Sequence, residues 1–258
     1  MNLQLQDQTF AVGGVTSGLG RAVALRLVRE GARVIGIART QAKLDELALE
    51  LGDQLVPYAA DLTDATAVKL LIEYLAKEDL AGAVINAGGP PTGRIDELTM
   101  TDWDQAYAST LRWKLQLAAG LLPQLKKREN GRLLFLESVS IKQPIDNLVL
   151  SNTMRAAVAG YVKTLSREVG RSGLTVNILA PGYHATPRIT DVLEKSAEIQ
   201  GISLADVEAQ FTAETAVGRL GRPDDFAAMA LFLLSPAAGY LTGQTITVDG
   251  GLVRHITG

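Results

Sequence analysis

Short apolar runs and amphipathic segments alternate along this chain of 258 residues. The segments between the apolar runs carry apolar residues every three to four positions, which is the period of a helix with one buried face. This alternation predicts right-handed β-α-β units, in which the strands are parallel and helices cover both faces of the sheet. The predicted strands are residues 10–12, 34–37, 55–58, 83–85, 132–136, 175–179 and 245–248.

The pattern therefore predicts one α/β domain over residues 1–258, with a Rossmann-type, doubly wound parallel sheet of seven strands. Residues 183–218 depart from the alternation, because they form a long, charged, helix-prone segment between the sixth and seventh predicted strands. Such sheets place ligand-covering elements beyond the carboxyl ends of their strands. We expect this segment to cover the substrate.

The composition of the chain argues against several classes of protein, among them those that bind nucleic acid, contain disulfides or span a membrane. With 47% hydrophobic residues, 21% charged residues and a net charge of -3, the composition is typical of a soluble globular protein and gives no electrostatic reason to bind nucleic acid or anionic lipid. The absence of cysteine excludes disulfides and zinc-thiolate sites, and two histidines far apart do not favour a metal site. A polar N-terminus, without an apolar stretch of about 20 residues, predicts a cytoplasmic protein that does not span a membrane.

A glycine-rich loop follows the first predicted strand and opens the first predicted helix. Gly14 permits a tight turn, Gly18 lets the backbone approach a pyrophosphate, and Gly20 lets the helix pack close to the strand. The free N–H groups of the helix N-terminus favour phosphate. The loop predicts a dinucleotide site, with an ordinary tight turn as the alternative. The residues assigned to this site are Gly14, Thr16, Ser17, Gly18, Leu19 and Gly20.

The end of the second predicted strand indicates which dinucleotide is bound. An acidic residue that would hold the 2'-hydroxyl of NAD is missing, and Ala38, Arg39 and Thr40 stand there instead. The guanidinium of Arg39 suits a 2'-phosphate, so Arg39 and Thr40 predict NADP(H) in preference to NAD(H). The alternative is that Arg39 is a solvated surface charge.

The spacing of Gly14, Gly18 and Gly20 resembles the T-G-x-x-x-G-x-G loop of short-chain dehydrogenases/reductases, with Gly13 in place of the threonine. Other motifs agree in order and spacing from about residue 10 to residue 251. The resemblance implies an adenine contact at Asp61 and Leu62, and a counterpart of the family's N-N-A-G motif at residues 85–88. The further cofactor-binding residues that it implies are Asn86, Ala87, Gly88, Pro181, Gly182 and Thr186.

The catalytic positions depart from this family, which uses a serine, a tyrosine, a lysine four residues later and an asparagine. Ser138 stands at the serine's place, but Ser151 replaces the tyrosine, Arg155 the lysine and Thr110 the asparagine. An aliphatic hydroxyl is a far weaker acid than a phenol, so Ser151 is a poor proton donor. Arg155 can hold ribose hydroxyls or phosphates of the cofactor, but its permanent charge prevents it from shuttling protons.

Another group could donate the proton instead. Lys142, four residues after Ser138, is the first candidate, with a solvated loop lysine as the alternative. Tyr183 and His184 follow Pro181 and Gly182, and could either reach the same pocket or pack within the covering segment.

The residues from Ser151 to Val169 predict a helix with small, apolar residues on nearly every side. The resemblance implies that this helix and the helix near Trp103 to Leu122 pair across a two-fold axis in a homodimer or homotetramer. The alternative is burial within one subunit.

The sequence thus favours an NADP(H)-dependent oxidoreductase of a carbonyl/alcohol pair, with an atypical site and a small-molecule substrate such as a 3-oxoacyl thioester, a small ketone or a sugar. A catalytically silent dinucleotide-binding sensor or scaffold, and a non-redox enzyme on the same fold, remain alternatives.

Overall fold

The structure, a computed structural model, describes residues 2–256. A parallel sheet lies at the centre of this part of the chain, and helices cover both of its faces. Its strands are β1 (Thr9–Gly13), β2 (Arg33–Ala38), β3 (Leu55–Ala59), β4 (Leu80–Ile85), β5 (Arg132–Leu136), β6 (Thr175–Pro181) and β7 (Thr245–Val248). The helices are α1 (Gly18–Arg29), α2 (Gln41–Leu51), α3 (Ala65–Leu75), α4 (Met100–Ala106), α5 (Trp113–Leu125), α6 (Val149–Val169), α7 (Pro187–Gln200), α8 (Leu204–Ala213) and α9 (Pro223–Leu234).

The strand order is β3-β2-β1-β4-β5-β6-β7, and every neighbouring pair is parallel. The predicted doubly wound sheet of seven strands is confirmed. The order reverses between β1 and β4, and this switch point is where open α/β sheets bind ligands, beyond the carboxyl ends of the strands.

The sheet is buried on both faces, which explains why its strands read as continuous apolar runs in the sequence. On one face, Val68 of α3, Leu121 of α5 and Val162 of α6 belong to one buried cluster. On the other face, Leu27 of α1 and Phe226 of α9 belong to a second cluster. These two cores hold the carboxyl ends of the strands in fixed positions.

The local sequence of helix α1 explains which of its faces is buried and where it ends. Val23, Ala24 and Leu27 are buried on one face, as the apolar period predicts. The backbone after the helix turns at Gly31, whose φ of 80° is readily adopted by glycine. The helix therefore begins at the glycine-rich loop and ends just before the turn at Gly31.

Helix α6 is not buried on every side. Val158, Val162 and Leu165 face the core, whereas Ala156, Ala157 and Gly160 are exposed. The alternative of complete burial within one subunit is therefore wrong for this face of α6.

The segment that departs from the alternation, residues 183–218, contains α7 and α8. Its base is attached to the chain that precedes α9, because the backbone N–H of Ala185 donates to Gly221 and that of Gly221 donates to Tyr183. No helix within residues 2–256 combines the length and the apolar character needed to cross a membrane.

Candidate active site

The glycine-rich loop has the geometry that its sequence predicts. Gly14 and Gly18 have φ values of 68° and 54°, a region that favours glycine. A Cβ on Gly20 would collide with the carbonyl oxygen of Gly14 and would lie 2.7 Å from Nδ2 of Asn86. Each of these three glycines therefore meets a steric requirement of the turn between β1 and α1.

The N-terminus of α1 is open toward the space above the loop. Ser17 stands at the cap position without a side-chain hydrogen bond to the helix. A Cβ on Gly18 would meet only the side chain of Thr186, at 3.6 Å. The first N–H groups of α1 are thus accessible to an anionic ligand, which the partial positive charge of the helix end would favour.

Asn86 fastens the loop to the next strand. Its Nδ2 donates a 3.0 Å hydrogen bond to the carbonyl oxygen of Gly13, so the chain after β4 and the turn after β1 form one rigid floor. Ala87 and Gly88 follow directly, and a Cβ on Gly88 would meet nothing within 4 Å.

Arg39 and Asp61 lie beyond the carboxyl ends of β2 and β3, and both are exposed. Hydrogen bonds from Thr63 lower the pKa of Asp61, and the positive charge of Arg39 lowers it further. The two residues lie at the same edge of the sheet, because β2 and β3 are neighbouring parallel strands. Thr40 stands at the N-cap position of α2 without a side-chain hydrogen bond to the helix, and Leu62, next to Asp61, is buried.

A cleft of about 470 Å³ opens beyond the carboxyl ends of β1, β4, β5 and β6. It brings together segments that are distant in sequence: the glycine-rich loop, the chain after β4, the start of α6 and the beginning of the covering segment. Its lining includes Gly14, Ser17, Gly18, Leu19, Gly20, Asn86, Ala87, Gly88, Glu137, Ser151, Arg155, Pro181, Gly182, His184, Thr186 and Arg188.

Ser151 and Arg155 are one helical turn apart on α6 and both line the cleft. The guanidinium Nε of Arg155 donates to Oγ of Ser151 over 3.0 Å. Because Oγ accepts this bond, the serine hydroxyl hydrogen can donate to another oxygen. Nη1 of Arg155 donates to Oε2 of Glu137 over 2.9 Å.

Glu137 and Lys114 are the functional candidates that the sequence reasoning missed. Glu137 immediately follows β5 and lines the cleft, and its carboxylate is fully shielded from solvent. Nζ of Lys114, on α5, lies 2.5 Å from Oε1 of Glu137, and the lysine side chain is 1% exposed. Lys114, Glu137 and Arg155 thus form a buried ion network beneath the floor of the cleft.

The buried ion network perturbs the lysine. Burial lowers the pKa of Lys114 to about 8, because the low-dielectric surroundings disfavour the charged ammonium. The carboxylate of Glu137 opposes this shift and the positive charge of Arg155 adds to it. The ring of Trp113 lies 5.8 Å from Nζ and gives the ammonium a further weak contact.

A signal for this network was present in the sequence. Lys114 stands between the apolar residues Trp113 and Leu115, and Glu137 directly follows the apolar run of the fifth predicted strand. Two opposite charges at core positions have to be paired, since an unpaired buried charge is costly.

The other predicted catalytic residues are not among the residues that line the cleft. Ser138 is half-buried, and its Oγ accepts a hydrogen bond from the backbone N–H of Ser140. Thr110 is fully buried in the π-helical turn Tyr107–Arg112 between α4 and α5. Lys142 is half-buried and follows the short 3₁₀ turn Val139–Ile141.

Tyr183 is engaged within the covering segment. Its hydroxyl donates to Glu214 over 3.0 Å, and its ring packs on Phe211. Burial, and next the negative charge of Glu214, raise the pKa of Tyr183 to about 12. A phenol held in this way is a poor proton donor at neutral pH.

His184 lines the cleft and is 4% exposed. Its Nδ1 lies 3.2 Å from the carbonyl oxygen of Gly182, an arrangement that makes Nδ1 the donor in the neutral ring. Burial is the main cause of its lowered pKa, so the neutral imidazole is favoured. Its edge-to-face contact with Phe226 joins the covering segment to α9.

A family model and several proteins of known function are similar to this chain over nearly its whole length. The family model described as "Enoyl-(Acyl carrier protein) reductase" matches residues 14–253. The 3-oxoacyl-[acyl-carrier-protein] reductase FabG of Haemophilus influenzae is 32% identical over 252 residues, which is 96% of this chain and 99% of that protein. The short-chain reductase protein NovJ of Streptomyces niveus is 31% identical over 254 residues, 95% of this chain and 94% of that protein.

Solved structures of reductases superimpose on this chain over nearly its whole length. The L-sorbose reductase of Gluconobacter frateurii, complexed with NADPH and L-sorbose, superimposes with a TM-score of 0.93 at 25% identity, covering 99% of this chain and all of that chain. An actinorhodin polyketide ketoreductase with NADPH superimposes with a TM-score of 0.90 at 28% identity, covering 96% of this chain and 98% of the other. The chain belongs to the short-chain dehydrogenase/reductase family.

Proposed function

We propose that this protein is an NADP(H)-dependent oxidoreductase of a carbonyl/alcohol pair with an atypical catalytic site. The observation that carries the proposal is the cleft at the switch point of the sheet. One cavity joins the open glycine-rich loop to a hydroxyl and a guanidinium, those of Ser151 and Arg155. The relatives support the substrate class, because they include a 3-oxoacyl-thioester reductase and a sugar reductase.

The residues of the cleft fit a dinucleotide. The uncapped N-terminus of α1 and the space above Gly18 suit its pyrophosphate. Arg39, beyond the end of β2, suits a 2'-phosphate and supports NADP(H) over NAD(H). Asp61 with Leu62 is assigned to the adenine side, and Pro181, Gly182 and Thr186 to the nicotinamide side. When bound, NADPH supplies a hydride to the substrate.

The chain's own groups hold the substrate and stabilise the charge that develops on its oxygen. The hydroxyl hydrogen of Ser151 is available to donate, and the charge of Arg155 stabilises an oxyanion nearby. Lys142 is kept as the candidate proton donor, and Ser138 and Thr110 as supporting polar groups. The position of Tyr183 against Glu214 argues against its use as the acid.

The covering segment belongs to the same proposal. Residues 183–218, with α7 and α8, cover the substrate, because His184 and Arg188 from the beginning of this segment line the cleft.

The proposal includes an assembly of identical subunits. The exposed small residues Ala156, Ala157 and Gly160 on α6 form a surface on which a second copy packs in a homodimer or homotetramer. We place the protein in the cytoplasm.

A second candidate function is a catalytically silent dinucleotide-binding protein. The observation that favours it is the hydrogen bond between Arg155 and Ser151. These residues stand where the family has its lysine and its tyrosine, and both of them transfer protons poorly.

Cofactor titration and turnover separate these functions. NADPH and NADH are titrated by calorimetry into the wild type, Arg39→Ala and, as a control, Arg171→Ala, which changes an exposed arginine beyond α6. We expect the wild type to bind NADPH more tightly than NADH. This preference should be reduced about tenfold or more in Arg39→Ala and unchanged in Arg171→Ala.

Turnover then tests catalysis. Oxidation of NADPH in the presence of a panel of ketones, sugars and 3-oxoacyl thioesters is measured for the wild type and for Lys142→Ala. Tight NADPH binding without any oxidation across the panel would support the silent function instead.

A further inference from the structure

The buried ion network carries more positive than negative charge. Lys114 and Arg155 each contribute a cation, and Glu137 contributes the one carboxylate bonded to both. Lys114 is almost completely shielded, and the Arg155 side chain is 12% exposed. A net positive charge with so little access to water is stabilised best by an anion bound from the cleft.

Arg155 is the member of the network that can reach such an anion. Its Nε and Nη1 are fixed by Ser151 and Glu137, so the orientation of the guanidinium plane is set. Nη2 has no hydrogen-bond partner within residues 2–256 and lies 3.1 Å from the place where a Cβ on Gly89 would stand. Gly89 also lines the cleft, and its missing side chain keeps the approach to Nη2 open.

The cleft around Arg155 matches an anion with an apolar body. Its charged lining residues are Glu137, Arg155 and Arg188, and the negative charge of Glu137 is already neutralised from below by Lys114. The lining also includes the apolar side chains of Pro90, Leu136, Leu148 and Ile189. A rigidly held guanidinium is suited to a carboxylate, because a charge-assisted hydrogen bond from Nη2 adds direction to the attraction between the two charges.

We infer that the substrate carries a carboxylate beside its reacting carbonyl, that Arg155 binds this carboxylate, and that Glu137 and Lys114 hold Arg155 in place. This inference rests on the proposed oxidoreductase function and specifies its substrate class. Arg155 is the residue that contacts the ligand, whereas Glu137 and Lys114 are positioning residues.

The test uses small carboxylates as probes on NADP⁺-saturated protein. Acetate, benzoate and phenylpyruvate, and the uncharged acetamide, benzamide and methyl phenylpyruvate, are titrated by calorimetry or ligand-observed NMR. We expect each carboxylate to bind the wild type at least tenfold more tightly than its uncharged counterpart. This preference falls to about one in Arg155→Met and persists in the control Arg171→Met. An equal affinity for acids and uncharged probes in the wild type, or an undiminished preference in Arg155→Met, would overturn the inference.

The positioning role has its own readout. Glu137 from β5 and Arg155 from α6 are the charged groups that act on Lys114, and burial brings its pKa to about 8. Loss of the lysine proton removes the net positive charge, so the carboxylate preference of the wild type falls as pH rises from 7 to 9.5. Lys114→Arg keeps its charge over this range and the preference stays level, provided that circular dichroism shows a folded protein. A wild-type preference that does not change with pH contradicts the role of Lys114, whether or not the variant folds.

Failure of this inference can be distinguished from failure of the proposed function. NADP⁺ binding is titrated first, and its absence contradicts the oxidoreductase proposal. Where NADP⁺ does not bind, the carboxylates are titrated into the protein alone, because the buried ion network belongs to the chain itself. Binding of NADP⁺ without carboxylate preference contradicts only the substrate class inferred here.

Discussion

Nζ of Lys114 and Oε1 of Glu137 are 2.5 Å apart, and both side chains are shut off from solvent. They come from α5 and from the end of β5, 23 positions apart in the chain. A salt bridge in this position contributes to orientation more than to stability, because the loss of hydration offsets much of the attraction between the charges. Its nearness to Arg155 connects the core of the protein to the floor of the cleft.

Removal of the shared carboxylate should destabilise the fold. Glu137→Gln leaves the ammonium of Lys114 and the guanidinium of Arg155 without their common counter-charge, so we expect a loss of about 3–5 kcal/mol in the free energy of unfolding. Urea denaturation measures the loss. Glu73→Gln, which breaks the exposed pair of Glu73 with Lys69, is the matched control and should change stability by less than about 0.5 kcal/mol. Equal effects of the two substitutions would show that the network is not buried as described.

Stability should depend on the protonation of Lys114 in alkaline solution. The pKa of its ammonium is lowered to about 8 in the folded protein, from a value of 10.5 without burial. Between these values the unfolded chain binds more protons than the folded protein, so the contribution of Lys114 to stability rises with pH. The free energy of unfolding of the wild type minus that of Lys114→Met should increase by on the order of 1–3 kcal/mol from pH 7.5 to 10. A constant difference would mean that the lysine titrates normally.

The close approach of α1 to β1 should tolerate no side chain at residue 20. A Cβ on Gly20 would overlap the carbonyl oxygen of Gly14 and press on the amide of Asn86, so Gly20→Ala should cost roughly 2 kcal/mol or more. It should also weaken NADPH binding, because Asn86 and Gly14 belong to the same floor. Gly170→Ala is the control, since a Cβ there would meet nothing within 4 Å. Thermal unfolding and NADPH titration of the two variants give the comparison.

The exposed small residues of α6 should be required for assembly. Ala157→Glu places a charge in the centre of this face, and burial of an unpaired carboxylate in an interface is unfavourable. We expect this variant to be monomeric and the wild type to form the proposed homodimer or homotetramer, as measured by sedimentation velocity. Thr66→Glu, at an exposed position on α3, should leave assembly unchanged. A monomeric wild type would contradict the assembly proposal directly.

The sequence by itself determined the elements whose signals are local. The alternation of apolar runs and amphipathic segments predicted all seven strands, because burial of a parallel sheet on both faces leaves a continuous apolar run in each of them. The requirement for glycine at positions 14 and 18 was also readable, since a positive φ in a tight turn is a property of a few neighbouring residues.

The tertiary structure decided which distant side chains meet. Lys114, Glu137 and Arg155 lie on three different elements, and only the packing of α5 and α6 against the same face of the sheet brings their charges together. The environment of Tyr183 likewise depends on how α8 folds back to place Glu214 and Phe211 beside it. Periodicity specifies which face of a helix is buried, but the partner of a buried charge is set by the relative positions of whole elements, and these are fixed only when the core is packed.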